Sequence, residues 1–131
     1  MYYGMGDGKL GMVDVRDIAD SAARILIDGG HEGKIYTPTG PSVITFQEIA
    51  DYIGSQLGKQ VNYVKISLDD VYNAIADAGW GEWGAEVMRG YSKAYSEGWG
   101  DFVTDDVETV TGKPSRSFQQ FFDEIMAPAL N

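Results

Sequence analysis

Residues 6–11, Gly-Asp-Gly-Lys-Leu-Gly, space Gly6, Gly8 and Gly11 as G-x-G-x-x-G. Such spacing holds a dinucleotide's pyrophosphate when a strand feeds the glycine turn and the last glycine opens a helix, whose free N–H groups face the phosphates. Here the glycines come before the first plausible strand, and the next helix begins near Asp14. The run therefore reads as a turn, with Asp7-Gly8 as its turn pair. No residue is assigned to cofactor binding, and the chain alone is expected to bind neither NADP(H) nor NAD(H).

Other chemistry is tested the same way. His31, in Gly-Gly-His-Glu-Gly, is the single histidine and reads as a solvated loop residue. With no cysteine, a thiolate zinc site, a disulfide framework and a cysteine nucleophile are excluded. Asp101, Asp105, Asp106 and Glu108 lack the oxygen alternation and central glycine of a calcium loop, and acids at a helix start are explained by caps and the dipole. Tyr91-Ser-Lys93-Ala-Tyr95 is similar to the tyrosine–lysine pair of short-chain dehydrogenases. Tyr91 and Lys93, however, are two residues apart, about 200° round a helix, where that chemistry needs i, i+4. Arg16 is expected to pair with Asp20 one turn on. No residue is assigned a catalytic or metal role. One set remains: Trp80, Trp83, Tyr91, Tyr95 and Trp99, which pack in the core, line an apolar pocket for a small ligand, or form a partner surface.

The elements that must position these residues follow from periodicity and caps. Strands are expected around 9–13, 34–38 and 61–66. Asp14 caps a helix that Gly29-Gly30 stop, with Ile18, Ala22, Ile25 and Leu26 on its inner side. Thr45 and Glu48 have capping-box spacing, and Gly58 closes their helix; Ser67 and Asp70 repeat the box. After residue 67 the pattern is helical, with Trp83, Val87, Tyr91 and Ala94 in register, a short helix after Thr104 stopped by Gly112, and Phe118, Phe121, Phe122 and Ile125 forming the last apolar face. The expected fold is α/β: three short strands with crossover helices, then a mainly helical C-terminal half, in one domain over 1–131. Crossovers of this length favour parallel pairing.

Twenty acidic against ten basic residues give a formal charge of −10. That field repels nucleic acid and anionic membranes, so neither is an expected partner. No stretch resembles a signal peptide or a membrane span, which makes a cytoplasmic protein the expectation.

Taken in order, residues 6–26, 33–67 and 103–122 resemble the C-terminal part of the NmrA-like, NAD(P)-binding group of atypical short-chain dehydrogenases. The signals are Val13-Asp14-Val15-Arg16-Asp17-Ile18-Ala19, Gly33-Lys34-Ile35-Tyr36 with Thr39-Gly40-Pro41, and Val110-Thr111-Gly112-Lys113-Pro114. The resemblance implies an N-terminal Rossmann half that binds the cofactor, and a smaller part, matched here, that helps close the substrate cleft; the helix around Trp80–Tyr95 would be its substrate side. Two functions follow: a non-catalytic accessory binding module, or a piece of an oxidoreductase that acts with a separately supplied Rossmann half. Surface that such a half would cover implies a homodimer, through the first strand, the Asp14–Ile27 helix or the Phe118–Met126 face.

Overall fold

Two-residue strands and well-capped helices build the chain. In the structure, a computed structural model that describes residues 1–130, the order is β1 (Tyr2–Tyr3), β2 (Lys9–Leu10), α1 (Val15–Asp28), β3 (Ile44–Thr45), α2 (Phe46–Leu57), β4 (Val64–Lys65), α3 (Leu68–Ile75), α4 (Gly81–Ser96), α5 (Asp106–Thr111), α6 (Phe118–Phe121) and α7 (Ala127–Ala129). Wide π-type turns over Ala76–Trp80 and Phe122–Met126 continue α3 and α6. The fold is α/β, with short strands among helices and a largely helical C-terminal region. Its contacts divide into two units, one of residues 1–10 and 44–101, the other of residues 11–43 and 102–130.

In the first unit β1 pairs parallel with β4, Tyr2 opposite Val64, while β2 pairs antiparallel with β3, Leu10 opposite Ile44. Parallel pairing thus holds for one pair and fails for the other. Thr45 and Ser67 both form complete capping boxes, with Glu48 and Asp70. These boxes fix where α2 and α3 begin, and so which residues turn inward. Ile44, Phe46, Ile49 and Ala50 bury against this unit's core with Met5, Val71 and Ala85. Tyr3 stacks on Phe46 at 4.2 Å, and Tyr63 donates its hydroxyl to Gly6 O at 2.9 Å. Burial holds the Tyr63 phenol above its ordinary pKa. Gly6, with φ 55°, makes the expected turn, and the Gly8 N–H is taken by Met5 O.

In the second unit α1 packs on α5. Asp14 caps α1 as expected, accepting from Arg16 N at 2.8 Å, and Gly29 ends it. Its inward face is not the expected apolar one. Asp17 and Ser21 are buried, while Ile18 and Leu26 are exposed. The reason is a partner that periodicity does not see: Arg116 holds Asp17 by its guanidinium and by its backbone N–H, the latter at 2.7 Å. Val107, Val110 and Phe122 complete this core.

The strand expected over 34–38 does not form. Thr37 N donates to the Asp106 carboxylate at 2.6 Å, and Thr37 O accepts from Thr104 Oγ1 at 2.6 Å, so side chains of residues 104–106 occupy backbone groups a neighbouring strand would need. Ile35, 92% exposed, lies on no sheet face. Of the two other strands expected, only Lys9–Leu10 and Val64–Lys65 pair, and Ile44–Thr45, read as a helix entry, is a strand as well.

Candidate functional site

Tyr91 and Tyr95 of α4 are gathered with Trp99 by the end of that helix. Tyr91 and Tyr95 are one turn apart and share a side. After Ser96 the backbone reverses at Gly98, φ 93°, with Gly98 N donating to Tyr95 O at 3.1 Å and Trp99 N to Ala94 O at 3.1 Å. These two bonds form a Schellman motif, whose residue after the glycine folds back onto the last turns of its helix. Trp99 is that residue. Its ring lies 5.3 Å from Tyr95 and 6.1 Å from Tyr91, within the range of ring–ring attraction.

Beside this ring cluster lies an open hollow of about 720 Å³, large enough for a drug-sized molecule. Tyr91 and Trp99 line it, together with Gly90, Ala94 and the carboxylate-bearing Glu86 and Glu97. Tyr95 stacks on Tyr91 and meets Trp99 at a tilt of 45°. Trp80 and Trp83 do not line it; both are exposed, and Trp80 covers Gly84.

Gly90 is the unusual member. A glycine inside a helix costs roughly 1 kcal/mol relative to alanine. Elsewhere a glycine is required: the Tyr95 carbonyl lies against the Cβ position of Gly8, leaving no room for a side chain. At Gly90 nothing lies within 4 Å of that position, and its φ is not positive. Neither packing nor conformation calls for glycine here.

The rim carries two carboxylates, both ion-paired. Glu86 pairs with Arg89 at 2.8 Å, but Arg89 also faces Asp69 at 3.7 Å and sits over the Tyr72 ring. Glu97 pairs with Lys93. Neither Arg89 nor Lys93 lines the hollow.

A second hollow, of about 370 Å³, lies in the other unit among Met12, Val13, Phe118 and Phe121, with Asp14 in its wall. Asp14 is not free for chemistry. Arg16 donates to its carboxylate through Nη2 at 2.7 Å and also reaches Glu124 at 2.6 Å, not the expected Asp20, which Arg116 takes instead. The Arg16 hydrogen bond holds the Asp14 carboxyl below its ordinary pKa against the opposing effect of burial. His31 is not simply solvated: its Nδ1 lies 2.8 Å from the Tyr36 hydroxyl. Among the described residues no group of acids and histidine is placed to hold a metal ion, and no helix is long and apolar enough to cross a membrane.

The glycine run does not fit a pyrophosphate. It leads into β2 rather than a helix, so no row of free helical N–H groups faces it.

This architecture is kin to NAD(P)H-dependent oxidoreductases. The chain is 37% identical over 116 residues to the uncharacterized oxidoreductase YesF of Bacillus subtilis, covering 88% of this chain and 41% of that one. It is 35% identical to the NAD(P)H azoreductase of Xenophilus azovorans, over 92% of this chain and 42% of the relative. Its fold matches the Escherichia coli NADPH-dependent quinone oxidoreductase, solved with NADPH, with a TM-score of 0.84 at 27% identity, over 96% of this chain and 44% of that structure. The chain thus spans about two fifths of the length of these relatives. No protein-family model matches it.

Proposed function

We propose that this chain is the substrate-side portion of an NAD(P)H-dependent reductase of the NmrA-like kind, and that it acts together with a cofactor-binding Rossmann half. One observation carries the reading: nearly the whole chain aligns, at 35–37% identity, with about two fifths of reductases that are more than twice as long. The absence of a fitting pyrophosphate cradle in residues 6–11 agrees with it, since the nucleotide would then be held elsewhere. In this arrangement the hollow beside Tyr91 and Trp99 receives a flat organic substrate, and the cofactor half supplies the hydride donor. This reading replaces a purely accessory binding module as the better supported of the two.

The test joins the chain to the cofactor-binding half of the Escherichia coli quinone oxidoreductase and follows NADPH oxidation with a quinone. Turnover by the fusion, with no saturable NADPH binding by the chain alone in calorimetry, is the expected result. A correctly folded fusion that binds NADPH but never turns over favours the accessory module. Micromolar NADPH binding by the isolated chain overturns the division of labour.

A further inference from the structure

We infer that the hollow on α4 is a binding site for a planar aromatic cation, and that Gly90 sets the size of the ring system it admits. The inference rests on the reading of this hollow as the substrate side and names the class it takes; its test is binding by the chain alone, so it can fail while the fusion still turns over, or hold while the fusion does not.

Three observations converge. Tyr91 and Trp99 present rings tilted by only 30° to each other at one wall, and Trp99 is 60% exposed although Tyr95 backs it. An exposed face on a supported ring is a stacking platform, and indole and phenol faces attract cations. Charge selects the ligand further. Glu86 and Glu97 line the hollow while their counter-ions, Arg89 and Lys93, stand outside its lining, and Arg89 also faces Asp69. A cation entering here can share the two paired carboxylates and is drawn by the chain's net charge of −10, which an anion must oppose.

Gly90 then acquires a reason. It lines the hollow between the ring wall and the Glu86 turn, and the space above it is open. A side chain at this position would fill the floor on which the ligand lies. The helix keeps an unfavourable residue where the ligand needs its volume.

Proflavine, a planar acridine cation, is the probe, titrated against the full chain by fluorescence, with neutral acridone as its counterpart. Saturable one-to-one binding of proflavine is expected, about tenfold tighter than acridone. Gly90→Leu should weaken it by about tenfold or more, and Gly90→Ala by less, with helicity by circular dichroism retained in both. Trp99→Leu should weaken both probes. The Glu86→Gln/Glu97→Gln pair should weaken proflavine by about fivefold and leave acridone unchanged, whereas Glu32→Gln/Glu108→Gln, an equal loss of charge outside the hollow, should change neither by more than about twofold. The inference is overturned by non-saturable binding, by equal effects of the two charge pairs, or by unaltered affinity in a folded Gly90→Leu. If Gly90→Leu fails to fold, the inference falls or stands on whether folded Gly90→Ala weakens proflavine.

Discussion

Arg116 closes on Asp17 across 99 positions of the chain, giving it both a backbone N–H and a guanidinium. Asp17 is 3% exposed, so its charge depends on this partner, while the Arg116 side chain remains 30% exposed. Asp17→Asn should lower stability by about 2–3 kcal/mol, below the cost of breaking a fully buried pair because the arginine stays partly wet. Urea unfolding of the two proteins measures it. A difference under about 0.5 kcal/mol would show that the pair does not hold this unit together.

Acid should destabilise the fold. The Arg16 hydrogen bond lowers the Asp14 pKa from an ordinary 3.8, and the Thr45 N–H and hydroxyl lower that of Glu48 from 4.5. A carboxyl whose folded pKa lies below its unfolded one contributes stability above the unfolded value and loses it as the pH falls through the folded value. The urea midpoint should be flat from about pH 7 to 5 and drop below about pH 4, with a shallower drop in Glu48→Gln. A midpoint that rises on acidification to about pH 3 contradicts the assignment.

Ser21 should be better as alanine. Its Oγ is buried in α1 with no hydrogen-bond partner. Ser21→Ala removes an unsatisfied polar atom and substitutes the best helix former, and should raise stability by about 1 kcal/mol. Thermal melting of the variant a few degrees above the parent checks it.

Val15, Ile18 and Leu26 recur along α1 at helical spacing and are exposed, Leu26 by 85%. An apolar stripe of this kind favours association. In the absence of a cofactor-binding half, the isolated chain should dimerise at concentrations of about 10–100 μM, and Ile18→Asp with Leu26→Asp should abolish the dimer. A single 14.3 kDa species at every concentration in sedimentation rules the dimer out.

Local chemistry was readable where a few adjacent residues decide the outcome. Asp14, Thr45 and Ser67 mark helix starts because their side chains bond to N–H groups two or three residues away, and Gly29, Gly58 and Gly112 mark ends through positive φ. What could not be read depends on distant partners. The Lys34–Pro38 segment loses its strand to Thr104 and Asp106, and the inner face of α1 is set by Arg116. At the candidate site, the Tyr91–Tyr95 register was legible, and Gly98-Trp99 after a helix carried a Schellman signal that would have brought Trp99 to it. Nothing in the sequence separated Trp80 and Trp83 from that set.

The order in which the chain is made bears on the second unit. Residues 11–43 leave the ribosome before their partners, residues 102–130, and the whole 44–101 segment is synthesised between them. During that interval Asp17 lacks the Arg116 guanidinium, and α1 lacks α5 to lie against. The first unit, by contrast, joins residues 44–101 to residues 1–10, already made when residue 101 appears. Nascent chains released at successive lengths should therefore gain protease resistance in two steps, with α1 protected only after Arg116 has emerged.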